Sequence, residues 1–453
     1  MVRRIIVIGG LAAGPSAASK AARTNPAAGV ILFEHGETVS YGVCEIPYHL
    51  SGELKGEDLV PFTPEKLLST RRVDARVLHR VEEIHPHRHL LRVRNLKERT
   101  SSEEKFDRLV IATGSRPRRL GVEGEESRNV FSVKALDDAL ALKKFLSQEH
   151  PGTAVIVGGG YIGMEMADAF RSLGIEVTVL HNSDLPLRVL ERETRERVRE
   201  ELERNGVRFI GMSRTAGFVR GRDGRVTHVV TTDGSFEAGV VVVAIGVEPS
   251  ADLARGAGIR TGVFGGIRTD QRQQTSVDDI YAAGDCCEVK NLVTGAQAYI
   301  PLATVASKAG WTAGENAAGG SAVFRGAIRS IALRVFSLEV AQVGASEEDA
   351  RLAGFETVSE TITGWSRVAA MPGSERVTIR LIADRKSQRL LGANVTGREG
   401  AVLRANTLAA AIQQKVTIGE MQQWDLAYSP PFAPLWDPIL VAANAMQRKL
   451  KAP

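Results

Sequence analysis

Two short apolar runs along the chain end in glycine turns and pass into helical patterns. The first is "IIVIGGLAAGPSAASKAART", and the run that follows it, "GVILFEHG", closes near Glu34. The second, "GTAVIVGGGYIGMEMADAFRSLGIEVTVLHNSD", repeats the scheme around Gly158-Gly159-Gly160, with its next strand ending near His181. Each reads as strand, turn, helix, strand. Such a βαβ unit sets a helix N-terminus, with its unpaired N–H groups and positive dipole end, against a pyrophosphate. The second unit carries Gly158, Gly160 and Gly163, whereas the first has Gly9 and Gly14 but Leu11 at the middle position. Two such units in one chain point to an enzyme that holds two dinucleotides.

The remaining pattern ties the units together and then changes. "FDRLVIATGSRPR" puts Thr113 and Gly114 after a strand, and "VVVVAIGVEPS", with Gly246, echoes it. Both read as strands leaving a nucleotide domain through a glycine turn, a domain crossing. "DDIYAAGDCCEV" predicts a strand, then Gly284 and Asp285 at a helix start, where the aspartate would accept from ribityl or ribose hydroxyls or serve as a plain N-cap. "ERETRERVREELERN" places Leu190, Thr194, Val198 and Leu202 on one stripe amid mixed charge, a solvated amphipathic helix. After about residue 322 come "SIALRVFSLEVAQVG" and "SERVTIRLIADRKSQRLLGANVTG", read as antiparallel strands, and "GAVLRANTLAAAIQQKV", read as a helix. The tail "WDLAYSPPFAPLWDPILVAANAM" is apolar and proline-broken, which suits burial against a second subunit, a two-fold dimer, with burial in its own subunit as the alternative.

Composition narrows the classes. At 453 residues the chain predicts two or three domains, and 43% hydrophobic with 25% charged residues is a globular balance. The net charge of +5 is not gathered into a block and aromatics are only 5%, which argues against a nucleic-acid surface and suits anionic cofactors. Cys44, Cys286 and Cys287 form no disulfide framework and lack the spacing of a zinc site, so no metal is expected. "RRIIVIGG" begins too early to leave room for a signal peptide, and the most apolar run, 238 to 247, is too short to span a membrane. The expected setting is cytoplasmic, away from membranes.

Glu34 suits a ribose hydroxyl of FAD or NAD. At the second unit His181 replaces that carboxylate and would not repel a 2′-phosphate, with Arg188 in reach, so NADPH is expected to serve at least as well as NADH. In the alternative, His181 points away and Asn182 or water holds the ribose.

The markers "VIGGLAAG", "SYGVCEIPY", "ATGSRP", "GGGYIGMEMA", "IYAAGDC", "IPLATVASKAG" and "DLAYSPPFAPLWDP" run collinearly through the chain. In these it resembles the flavin-dependent pyridine nucleotide–disulfide oxidoreductases, in the branch with a single redox cysteine: coenzyme A-disulfide reductases, coenzyme A persulfide or polysulfide reductases, NADH oxidases and peroxidases. The resemblance implies an α/β fold of two interleaved Rossmann-like domains plus a C-terminal α+β dimerisation domain. FAD would occupy 1–112 and 245–321, the nicotinamide cofactor 113–244, and dimerisation 322–453. It further implies cofactor contacts by Gly246 and Pro301, a Tyr161 that covers the flavin until nicotinamide displaces it, and Glu165 on the same face. Ser40 and Arg23 would meet the substrate, and Tyr428 would reach the partner's active site. Ala12 stands where oxidases and peroxidases usually carry histidine. Two departures put coenzyme A disulfide itself in question: Val43 replaces an asparagine, and Ala370 and Met371 replace a tyrosine-bearing segment.

Cys44 is the centre of the expected chemistry. A dithiol would need a second cysteine near position 49, which is His49, so Cys44 must form a mixed disulfide, persulfide or sulfenic acid with an outside partner. "EIPYHLSG" predicts a helix start with Pro47 in its first turn, whose dipole would lower a thiol pKa from about 8.5. Electrons would pass from NAD(P)H to flavin to Cys44, and then to a coenzyme A disulfide, persulfide or polysulfide. Tyr428 and His49 are the candidate acids; Cys286 and Cys287 are expected to be structural. The alternatives are an oxidase working through a Cys44 sulfenate, an electron-transfer flavoprotein reductase that needs no Cys44, and a nucleotide-sensing flavoprotein.

Overall fold

The structure, a computed structural model, describes residues 4–451. Its first sheet is parallel throughout, in the order Ile280–Ala282, Arg108–Ile111, Arg4–Ile8, Gly29–Phe33, Val73–Arg76. Ile5, Ile6 and Val7 are all fully buried, as β-branched residues covered on both sheet faces should be. On one face the helices Ala13–Thr24 and Ala303–Ala317 lie against each other. Their contact is made of alanine and glycine: a Cβ on Gly310 would fall 2.3 Å from the Ala13 carbonyl oxygen, and one on Gly314 2.0 Å from that of Ala17.

The second sheet repeats the plan in the order Val207–Ile210, Glu176–Leu180, Thr153–Val157, Val240–Val243, Val130–Phe131, again parallel. Helix Tyr161–Ser172 follows its glycine turn, and helix Arg192–Arg204 buries Thr194, Val198 and Leu202 as the stripe predicts. The two crossing segments pair with each other: Ser115–Pro117 runs antiparallel to Val247–Pro249. Thr113 donates its hydroxyl to the Ser250 carbonyl at 2.6 Å, and the Ser250 N–H donates to the Gly114 carbonyl at 2.9 Å. Two chain passages thus make one ribbon between the sheets.

The last third is a five-stranded antiparallel sheet, ordered Ser330–Val335, Leu338–Gly344, Leu390–Gly397, Arg376–Asp384, Thr357–Trp365, with helices Ala401–Gln413 and Pro438–Lys451 packed against it. Its first hairpin inserts Leu333, Val335, Leu338 and Val340 into the same core as Ile46 and Leu50 beside Cys44 and Met164 and Phe170 of the second unit. The tail before the last helix is fastened by Arg404, which donates to Asp437 at 2.8 Å, yet Phe432 is 78% and Trp436 56% exposed on the single chain. Burial within its own subunit thus covers part of the tail, most of Asp437 through Met446, and leaves Tyr428, Phe432, Leu435 and Trp436 exposed. Among the described residues no helix is long and apolar enough to cross a membrane.

One sequence expectation fails here. Asp285 sits in a tight turn after Gly284 (φ 90°), followed by a small hairpin of Val289–Lys290 with Gln297–Ala298. The helix begins only at Ala303, because the hairpin is inserted between the strand and the helix that the pattern joined directly.

Candidate active site

The two glycine turns are built alike. Gly9 (φ 109°) and Gly158 (φ 119°) adopt a conformation that L side chains rarely take, and a Cβ would strike the Ala112 oxygen at 2.1 Å or the Ala244 oxygen at 2.2 Å. Gly14 and Gly163 let each helix settle onto its own turn, where a Cβ would lie 1.8 Å from the Gly9 oxygen or 2.0 Å from the Gly158 oxygen. Both helices begin without a side-chain cap, at Ala12 and Gly160, and the helix at Ala303 likewise begins at Leu302. Thr63, Ser346 and Thr417 cap three other helices, whereas Glu45, Glu191, Ala251 and Gly400 also begin helices without a side-chain cap. Three helix starts with free N–H groups open onto one cleft of about 3450 Å³, several times the ~300–1,000 Å³ of a site for one small ligand. Two dinucleotides fit these residues: two cradles, bare helix starts and the volume agree.

Glu34 and His181 occupy equivalent places. Glu34 accepts from the N–H groups of Gly10 at 2.6 Å and Gly36 at 2.7 Å; burial opposes its ionisation, but these bonds and His35 hold the carboxyl below its ordinary range. His181 Nδ1 accepts from the Gly159 N–H at 3.1 Å, which fixes the proton on Nε2, and that atom is buried without a partner. Burial, then Arg195 and Arg188, push its pKa down, so the ring is neutral. His181 therefore faces the glycine turn and lines the cleft; it does not point away. Arg188 itself does not line the cleft, whereas Arg214, which the sequence reading passed over, does so beside Ser213.

Cys44 lies on the cleft wall between the two cradles, exposed and unpaired. Its loop is tied to the first turn by the Ser40 N–H, which donates to the Gly10 carbonyl at 2.7 Å. Ile46, Pro47 and Leu50 of the following helix, Ile46–Ser51, are buried. The expected lowering of the thiol pKa is not found. Burial raises it, then Glu165 and Glu45, with Lys134 acting against them. The helix is a single short one whose cap residue, Glu45, carries a negative charge next to the sulfur, and the fold adds Glu165.

A family model described as pyridine nucleotide-disulphide oxidoreductase matches residues 3–310, and its dimerisation domain matches residues 332–438. The chain belongs to this family. Among its relatives is the NAD(P)H sulfur oxidoreductase (CoA-dependent) of Pyrococcus abyssi, 34% identical over 98% of both chains. Another is the NAD(P)H coenzyme A polysulfide/persulfide reductase of Pyrococcus horikoshii, 34% identical over 99% of both. Of solved structures, a NAD-dependent persulfide reductase from A. fulgidus superposes with a TM-score of 0.95 at 33% identity, covering 98% of this chain and 83% of that one. The reduced Bacillus anthracis CoADR-RHD superposes with a TM-score of 0.96 at 28% identity, covering 99% and 81%.

In this oxidoreductase the cleft is lined by Gly9, Arg23, Glu34, Ser40, Cys44, Thr113, Gly114, Gly158, Gly160, Tyr161, Glu165, His181, Gly246, Asp285 and Pro301. Tyr161 Oη is buried without a partner, and burial pushes the phenol up. Asp285 accepts from Ser115 Oγ at 2.9 Å and meets Lys134 Nζ at 3.4 Å. Lys134 is a residue the sequence reading missed. Asp138 positions it by accepting from the Lys134 and Ala135 N–H groups. His49 does not line the cleft: it is buried, bound through Nδ1 to the Leu54 carbonyl at 3.0 Å and met by Lys143 at 3.1 Å, so it is a satisfied helix residue and no acid. Cys286 and Cys287 are buried in the core of the first unit as free thiols, one donating to the other across 3.7 Å with no disulfide between them. Tyr428 is half exposed and does not line its own chain's cleft. Its strap lies beside the Ala370–Met371 segment, the Val368 N–H donating to the Pro430 carbonyl at 3.2 Å.

Proposed function

We propose that this oxidoreductase takes electrons from NAD(P)H and spends them on breaking a sulfur–sulfur bond made to Cys44, the second partner being a coenzyme A disulfide, persulfide or polysulfide. The observation that carries this is the placement of one exposed thiol between two dinucleotide cradles, with both other cysteines shut in the core.

FAD held at the first cradle supplies the chemistry of accepting a hydride as an electron pair and yielding the pair to sulfur. The chain does the rest. Gly9, Gly14, Thr113, Gly114, Asp285 and Pro301 form the first site, with Glu34 on the ribose. Gly158, Gly160, Gly163, Gly246 and Glu165 form the second, and Tyr161 gives way to the nicotinamide. Neutral His181 puts no negative charge where a 2′-phosphate would sit, and Arg214 donates to either a ribose hydroxyl or a 2′-phosphate, so NADPH and NADH both serve. Cys44 thiolate attacks the outer disulfide or persulfide, releasing thiol or sulfide. Arg23, Arg71, Lys308 and Arg325 line the outer cleft, a cationic mouth for the phosphates of coenzyme A, with Ser40 deeper in. Tyr428 reaches this site from the second subunit of a homodimer and donates to the leaving sulfur.

Mass spectrometry of the intact, non-reduced protein tests the reading. A coenzyme A adduct on Cys44, absent from Cys44→Ser, is the expected result. A bare thiol, together with oxygen uptake matching NAD(P)H consumption, would favour the oxidase instead.

A further inference from the structure

Beneath the cysteine helix is a second, small space of about 10 Å³, room for about one water. Its wall mixes apolar Pro47 and Ala169 with polar groups: Tyr48, Ser51 and Glu53 from the chain after Cys44, Glu165 and Asp168 from helix Tyr161–Ser172, and Arg334 from the C-terminal sheet. Arg334 binds Glu53, stands over the Tyr48 ring at 5.0 Å and lies 3.9 Å from Asp168. Asp168 also accepts the Phe336 N–H at 3.0 Å. Glu165, one helical turn before Asp168, belongs to both spaces, lining the main cleft with Cys44 and the small cell with Asp168.

We propose that Glu165 and Asp168 bring in the proton that each turnover takes from solvent, handing it across one water in the cell between them and on to the Cys44 sulfur as its S–S bond breaks, while Tyr428 serves the leaving sulfur. This rests on the reading of Cys44 given above. The need follows from the balance. Cleaving one S–S bond with NAD(P)H makes two S–H groups; the hydride carries both electrons and one hydrogen, and the second hydrogen is a solvent proton. Burial and then Asp168 push Glu165 up to about 7, so at neutral pH it exchanges between its protonated and ionised forms, as a proton carrier must. Asp168 is raised as well, by burial, against the Phe336 N–H and Arg334. The charged and titratable groups around the pair are Cys44 and Glu45 of the cysteine turn, Tyr48 and Glu53 beyond it, and Arg334.

Asp168→Asn keeps an acceptor for the Phe336 N–H but carries no proton. In the FAD-loaded dimer it should lower kcat about tenfold above neutral pH with KM unchanged, and added imidazole, a small proton carrier, should restore the rate. The descending limb of kcat should move to lower pH, because Glu165 loses the like charge that keeps it protonated. Alkylation of Cys44 by iodoacetamide gives a readout apart from turnover: its pH curve should shift down in Glu165→Gln and stay in place in Asp168→Asn. An Asp168→Asn enzyme with the wild-type pH profile, or a loss that imidazole does not restore, overturns the relay and leaves the thiol chemistry standing. A Cys44→Ser enzyme that still turns over sinks that chemistry instead.

Discussion

Among single residues, the thiol and the second ribose site carry the sharpest expectations. Lys134 is the cation that opposes Glu165 and Glu45 at Cys44. Lys134→Met removes a positive charge that favours thiolate, so the Cys44 alkylation curve should move to higher pH. Arg214→Ala should raise KM for NADPH about tenfold relative to NADH, the loss of one charge-assisted contact to phosphate, measured by steady-state kinetics with both donors. The sequence made Cys44, Glu34 and His181 visible because each sits at a fixed offset from a local pattern. It could not show Lys134, Arg214 or Glu165 acting on them, since those meet only through packing between distant segments. The thiol expectation failed for that reason: the helix start was legible, and the carboxylate brought up by another helix was not.

At the scale of elements, both βαβ units were legible because strand, turn and helix follow one another without interruption. Asp285 was misplaced because a hairpin of its own separates its strand from the helix at Ala303. The contact of helices Ala13–Thr24 and Ala303–Ala317 gave no periodic signal beyond its small residues, yet it brings two bare N-termini to one cleft. Gly314→Leu should force these helices apart. The expected outcome is a loss of at least about 2 kcal/mol in stability by thermal melting, together with a fall in bound flavin read from the ratio of visible to ultraviolet absorbance.

The whole molecule is a dimer whose active site draws on two chains in the reading above. Cys44→Ser and Tyr428→Phe homodimers should each be crippled. A heterodimer of the two holds one site with both residues intact, so co-expressed and separated by tags it should regain about half the wild-type rate per dimer. A rate no better than either parent would place Tyr428 outside the site. The interior carries a different consequence. The nicotinamide domain hangs from the first sheet by the paired ribbon of Ser115–Pro117 and Val247–Pro249. Such a ribbon is a natural axle, but the opposite flank of the domain is locked into a core shared with the cysteine helix and the C-terminal hairpin. A body fastened at two sides does not swing, so on the proposed reading the donor is admitted by rotation of the Tyr161 ring alone, and X-ray scattering profiles with and without NADPH should coincide.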